Sequence, residues 1–150
     1  MCFGTKDDQF GRFFVPSSGN LAALKLVHLY GYVSCDPKSN ARWSYWGCAG
    51  PEVNVVVTNS TNHVLLPADE FSSNSVTKWF NIPGYNSLSP EIVLSVLSRP
   101  RWMTSGEELR LWNGEDLVNR SESDNGGRVC CDVHALFVET RVFTSTEGFK

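Results

Sequence analysis

The sequence predicts an all-β domain, a β-sandwich or jelly roll of eight or nine antiparallel strands. Three observations carry this reading. Short runs rich in β-branched and aromatic residues recur along the chain, and residues 52–59 (Glu-Val-Asn-Val-Val-Val-Thr-Asn) are the clearest. Twelve Gly and seven Pro punctuate those runs as turn chemistry. Helix signals are weak, and residues 68–71 and 89–94 begin at most a short turn. The chain has 150 residues, 41% hydrophobic and 19% charged. That is long and apolar enough to bury a core as one domain over 1–150, and too weakly charged for a disordered segment.

The elements follow in order. Residues 10–15 are a short apolar run ended by Pro16-Ser17-Ser18-Gly19. Residues 21–33 are apolar nearly throughout, as expected for one long central strand or two strands joined at Gly31. After 52–59, the tetrapeptide Asn59-Ser60-Thr61-Asn62 makes a tight connection to residues 63–66, which Pro67 terminates. Residues 78–82, 91–97 and 109–112 continue the series, and residues 128–134 with 135–142 form one long final strand. No internal repeat interrupts the single domain.

Charge and missing motifs exclude several functions. Thirteen Lys and Arg against sixteen Asp and Glu leave a net charge of −3. The basic residues do not cluster beyond Arg99-Pro100-Arg101, so no nucleic acid partner is expected. No apolar run approaches the roughly 18–20 residues of a bilayer span, so no membrane insertion is expected. The sequence contains no glycine-rich phosphate loop and no HExxH, GxSxG or CxxC spacing. Its three histidines are far apart. His63 reads as a surface hairpin residue, His28 as a satisfied strand residue, and His134 as part of an exposed strand face. No nucleophile–base pair is written locally, and a binding module rather than an enzyme is expected.

The five cysteines bear on compartment. Cys35 and Cys48 bracket a turn-rich segment, and a disulfide between them closes a 14-residue loop, stabilising by about 3 kcal/mol in the chain-entropy model. Alternation along the last strand puts Val129, Cys131, Val133, Ala135 and Phe137 on one face. Cys131 is then a buried small hydrophobe, while Cys130 points outward to pair with Cys2 or with a second chain. Asn59-Ser60-Thr61 and Asn119-Arg120-Ser121 are glycosylation sequons. Together these features favour a secreted, extracellular protein. Residues 1–6 hold no apolar signal-peptide core, as expected of a module cut from a longer secreted chain or a mature domain with a start Met.

Two segments carry candidate chemistry. Residues 107–124 hold six of the sixteen acidic residues, and Asn125-Gly126-Gly127 follow. Calcium takes six to eight oxygen ligands from carboxylates, amides and carbonyls. A loop with Glu115, Asp116, Glu122, Asp124 and Asn125 supplies them, while glycines let the backbone fold round an ion. It is not an EF-hand, and a solvated acidic hairpin is the plainer alternative. On a strand, adjacent Glu115 and Asp116 point oppositely, which makes them a poor glycosidase acid/base couple. The second segment is Trp43-Ser44-Tyr45-Trp46-Gly47-Cys48, preceded by Tyr30 and Tyr32. Sugars present apolar C–H faces beside hydroxyls, so Tyr32, Trp43, Tyr45 and Trp46 are candidate sugar-covering residues. The alternative is that Trp43 and Trp46 close the barrel end as core. Trp79, Trp102 and Trp112 are expected in the core or at its edge, with Trp112 lining a site if it faces outward.

The stretch Glu115-Asp116…Asp124-Asn125-Gly126-Gly127-Arg128-Val129-Cys130-Cys131-Asp132-Val133 resembles the calcium loop of bacterial galactose-binding lectins of the LecA type. In those jelly-roll proteins an Asp, a short turn and an Asn-Asn pair precede a Gly and a final alternating strand. The resemblance implies that Asp116 matches the first carboxylate and that Asp124 with Asn125 match the paired ligands. Here the loop is one residue longer, and Asp replaces the first Asn of the pair. The whole chain also resembles a secreted module of marine invertebrate multidomain proteins, through Tyr45-Trp46-Gly47-Cys48, Leu65-Leu66-Pro67-Ala68-Asp69-Glu70-Phe71 and the Glu115-Asp116-Leu117…Asp124-Asn125-Gly126-Gly127 region. The first likeness implies a calcium-dependent, lectin-like module that binds glycans, and the second supports a secreted compartment more than any activity. Single sites of this kind bind at about millimolar Kd, roughly −4 kcal/mol, so a homo-oligomer or a multidomain parent is expected. The alternative is a structural or adhesive matrix module without sugar binding.

Overall fold

Two long strands organise the molecule, and shorter strands borrow their edges. The computed structural model describes residues 1–96 and 99–139. In chain order the strands are β1 (Cys2–Gly4), β2 (Gly11–Phe14), β3 (Gly19–Ser34), β4 (Trp43–Ser44), β5 (Val55–Asn59) and β6 (Val64–Leu66). They continue with β7 (Ser72–Asn74), β8 (Trp79–Phe80), β9 (Glu91–Ser95), β10 (Arg101–Met103), β11 (Glu108–Asn113) and β12 (Gly126–Val138). A five-residue helix, α1 (Gly114–Val118), lies between β11 and β12, and single 3-10 turns occupy Asn40–Arg42 and Asp69–Phe71.

β3 and β12 pair antiparallel from Gly126 opposite Ser34 to Val138 opposite Asn20. On its other edge β3 serves three short strands in succession: β10 at Gly19–Leu21, β9 at Ala23–Val27 and β4 at Val33–Ser34. β1 completes this six-stranded sheet beside β12. A four-stranded sheet in the order β2-β11-β5-β6 faces it, and β7-β8 form a small ribbon. The fold is the all-β sandwich read from the sequence. Among the described residues there are twelve strands rather than eight or nine, and the surplus comes from pieces of two or three residues. The expected strand ends at residue 97 and residues 140–142 lie outside the described residues.

One buried cluster joins the sheets. Leu24, Leu26, Ile92, Leu94 and Val129 come from the first, and Val55, Val57, Leu66, Leu109 and Leu111 from the second. The four-stranded sheet is covered on both faces, so its central residues read as a continuous apolar run. Trp112 is buried there, donating from its indole N–H to Thr58 Oγ1 at 3.1 Å, with the Phe10 ring 4.6 Å away and the Arg110 guanidinium over Phe10. Trp112 therefore closes this face and lines no site. Trp46 is 0% exposed and donates to Ser89 O at 2.8 Å, so of the two expectations for it the core holds. Trp102 goes the other way and is 63% exposed, on the short strand β10.

Cys35 and Cys48 form the disulfide read from their spacing, and Cys130 pairs with Cys2 directly across β1 and β12. The register shifts between Cys130 and Cys131 because β3 contributes an extra residue, Leu29, while β12 keeps its alternation, with Val129 and Cys131 in the core cluster and Cys130 on the other face, buried with its disulfide partner. Cys130 thus faces away from the core, as alternation implied, and bonds to Cys2 on that face. The free Cys131 thiol is pushed up to about 11 by burial, which leaves it inert as a nucleophile.

β3 runs through Gly31 without a break. Its φ is +87°, and a methyl group there would collide with the Arg128 carbonyl on β12. Gly31→Ala is expected to destabilise by about 2 kcal/mol, a fall in Tm of roughly 4–8 °C. Thermal denaturation followed by circular dichroism checks this, and an unchanged Tm contradicts it.

Candidate functional site

The acidic residues gather where β11 ends and the chain turns through α1 into β12. Asn113 ends the strand and caps the helix, its side-chain oxygen accepting from the N–H groups of Glu115 and Asp116 at 3.0 and 3.2 Å. Gly114 fits because a Cβ would press on Lys78 and on Asn54 Nδ2. The buried Asn54 in turn donates from that nitrogen to Thr77 O and Lys78 O, and its own carbonyl accepts from Gly114 N–H at 2.7 Å. The local sequence thus makes a short, anchored helix, where a loop between two strands was expected.

This placement buries Glu115 and Asp116. The two oxygens of Asp116 accept from the N–H groups of Asp8 and Gln9, each at 2.9 Å. Glu122 accepts from Asp7 N–H at 3.1 Å. Asp7 and Asp8 both occupy the left-handed region, φ 60° and 58°, an uncommon state for non-glycine residues. The two neighbouring carboxylates both hold that turn. Burial pushes Asp116 up to about 6; the Asp8 and Gln9 N–H groups pull it down, and the neighbouring Glu122 raises it further.

Glu115 faces a different set of partners. Burial raises its pKa, opposed by hydrogen bonds from Asn125 and the Trp79 indole, with Asp124 adding repulsion. Asn125 is only 3% exposed, and its Nδ2 donates to Thr5 O at 3.4 Å. Its Oδ1 is buried with no hydrogen-bond partner. A buried amide oxygen left alone costs about 1–3 kcal/mol, so the site is incomplete as a purely protein structure.

The five residues expected as ligands lie at this end of the sandwich in two groups, Asp116 with Glu122 and Glu115 with Asp124 and Asn125, rather than around one centre. Glu107 and Glu108 do not join them, for Glu108 pairs with Arg12 and Arg110 at 2.9 and 2.7 Å. Among the described residues no three His, Cys, Asp or Glu side chains already converge as a metal centre. A cation held here would have to draw on the Asn125 amide oxygen and on backbone carbonyls besides the carboxylates. Hard oxygen donors of that kind, with one oxygen unpartnered, fit calcium chemistry.

Of the aromatic candidates, Trp43 lies nearest the acidic turn. Its ring packs over Gly126 and Gly127, immediately after Asn125, and a Cβ at Gly127 would meet it at 2.7 Å. Tyr45 stacks on His28 at 3.7 Å, and Tyr32, 52% exposed, lies 5.5 Å from Tyr45. His28 is bonded to Gly31 O at 2.7 Å, as a satisfied strand residue. Trp46 takes no part in this surface. Trp79 is the residue that sequence reasoning passed over: its indole reaches Glu115, and it lines a polar cleft with Arg42, Glu52, Ser73 and Asn74. Read as a strand residue of 78–82, it gave no signal of either role.

No protein-family model and no curated protein sequence matches the chain. Among solved structures, AJLec, a lectin from the sea anemone Anthopleura japonica, superposes with a TM-score of 0.81 at 36% sequence identity. The alignment covers 91% of this chain and 92% of that one. This chain belongs to the AJLec family. The lectin-like fold inferred from the acidic loop stands, whereas the LecA type is not what the comparison finds. The likeness to AJLec spans 91% of the chain, and so reaches well beyond the twenty residues of that loop.

The raised acids give a pH signature. Asp116 has a folded-state pKa of about 6 against 3.8 when free. Its contribution is therefore full below about pH 4 and is lost as pH rises through about 6. Metal-free protein is expected to melt at higher temperature near pH 5 than near pH 7, and Asp116→Asn is expected to flatten the difference. Calorimetry in EDTA across that range decides it, and a wild-type profile as flat as the variant's counts against the buried acid.

Proposed function

We propose that this chain is a secreted carbohydrate-binding module that depends on calcium and binds glycans without chemical turnover. The observation that carries the reading is the similarity to AJLec, a lectin, across 91% of the chain. Two disulfides are consistent with an oxidising, extracellular compartment. The absence of a long apolar helix among the described residues fits a partner other than the bilayer core.

The acidic end is proposed as the calcium site. Asp116, Asp124 and Asn125 are its principal ligands, with Glu115, Glu122 and backbone carbonyls completing the set. The unpartnered Oδ1 of Asn125 supports this assignment, since a cation satisfies it where no protein donor does. Calcium supplies a fixed positive charge to which vicinal sugar hydroxyls can coordinate. The chain's own residues do the rest. Asn113 and the Asp8 and Gln9 amides fix the carboxylates, and Trp43 shapes the Gly126–Gly127 turn. Tyr45, stacked against His28, and the neighbouring tilted Tyr32 offer a ring surface to a sugar's apolar face. Ordering before binding lowers the entropic cost of each contact. Weak single sites gain from repetition, so a homo-oligomer or a multidomain parent is part of the proposal.

A melt of EDTA-treated protein across a calcium titration tests this, with magnesium as control. At calcium about 100 times its Kd, stabilisation of about 2.7 kcal/mol, or roughly 5–10 °C, is expected. Asn125→Ala and Glu115→Gln are expected to remove most of that rise. A protein that ignores millimolar calcium removes the metal from the proposal, leaving a metal-free sugar site or a structural module.

A further inference from the structure

Away from the acidic turn, beside the Cys35–Cys48 disulfide, lies a cleft of about 420 Å³ lined by Arg42, Glu52, Ser73, Asn74 and Trp79. This falls in the lower part of the roughly 300–1,000 Å³ range of small-ligand pockets. Its polar groups are oriented and incompletely used. Ser73 Oγ–H donates to Glu52 Oε2 at 2.7 Å, which steadies the carboxylate and leaves Oε1 to accept. Asn74 Oδ1 accepts from Val76 N–H and Thr77 N–H at 3.0 and 3.2 Å, so its orientation is set and its Nδ2 keeps both protons to give. Neither Arg42 nor Glu52 enters an ion pair among the described residues.

Trp79 supplies the apolar wall, and it is held at two points. Its indole N–H bonds to Glu115 at one end. At the other, its six-membered ring lies so close to Gly47 that a Cβ there would sit 3.3 Å away. A fixed aromatic ring flanked by a carboxylate acceptor, an amide donor and a guanidinium matches a pyranose. The sugar has an apolar C–H side and a rim of hydroxyls that both give and accept hydrogen bonds. The one positive and one negative side chain balance, which favours a neutral sugar over an anionic one.

We propose that this cleft is a second glycan subsite, binding a neutral pyranose against Trp79 through Glu52, Asn74 and Arg42. The inference rests on reading the chain as a carbohydrate-binding module. A single indole separates the cleft from Glu115, so the two positions suit neighbouring residues of one oligosaccharide.

The test uses the full chain with calcium, labelled with 15N, and follows the five tryptophan indole resonances, Trp79 being assigned through Trp79→Phe. The probes are methyl galactoside, glucoside, mannoside and N-acetylglucosaminide, with lactose and cellobiose, up to about 10 mM as suits weak single sites. Glu52→Gln and Asn74→Ala alter exposed or half-buried side chains and are expected to fold. A disaccharide that shifts the Trp79 resonance, and whose Kd rises about tenfold in Glu52→Gln, supports the subsite. Sugar binding that leaves Trp79 unmoved and is indifferent to both variants overturns it, while the proposed lectin function stands. If no probe binds the wild type, the carbohydrate reading fails and the subsite fails with it.

Discussion

The pairing of β3 with β12 is the interaction on which the other parts depend. It joins residues near the start of the chain to residues near the end of the described segment, along almost the full length of both strands. Contacts so distant in sequence carry a large loop-closure cost, which the Cys2–Cys130 crosslink at the edge of the ladder reduces in the unfolded state. Once the ladder is formed, its consequences are local. β9, β10 and β4 need only two to five residues each because β3 presents a preformed edge. β12 also begins at Gly126, so the ladder fixes where the acidic turn must end.

That turn carries an electrostatic burden. Glu115 and Asp116 are adjacent and both buried, and each is destabilised as an anion by the loss of water. The fold offers partial compensation: a capping Asn113, two backbone amides for Asp116, and an indole and an amide for Glu115. Compensation is incomplete, as the lone Asn125 Oδ1 and the repulsions from Glu122 and Asp124 record. A protein selected only for stability gains by replacing such a cluster with apolar side chains. Perturbed carboxylates of this kind are common at binding sites.

Much of the architecture was legible in the sequence because it rests on local signals. β-branched runs marked β5 and the long strands, Pro67 closed β6, and the thirteen-residue separation of Cys35 and Cys48 suited a disulfide. The misreadings share a physical cause, namely that tertiary contacts override local signals. Trp46, Trp102 and Trp112 are alike in composition, yet a covered sheet face buries Trp112, a backbone acceptor holds Trp46, and the short strand β10 leaves Trp102 in solvent. The helix α1 was missed because five residues carry little periodicity; its evidence was the Asn113 cap followed by two acids. Within the site, the acidic residues were visible as composition, whereas the cleft around Trp79 draws on residues 42, 52, 73, 74 and 79, which only folding brings together.

The Cys35–Cys48 loop links these scattered parts. It carries Trp43 against Gly126 and Gly127 on the acidic side, and Arg42, the preceding residue, into the cleft lining. Adjacent side chains of one crosslinked loop therefore serve two neighbouring surfaces. The crosslink restricts the loop before any ligand arrives, so less conformational entropy remains to be lost on binding. Trp79 makes the second connection, with its ring on the cleft and its nitrogen on Glu115. The loop and the indole together make the end of the sandwich a continuous, ordered wall, with two polar neighbourhoods held in fixed relation by covalent and hydrogen-bonded links.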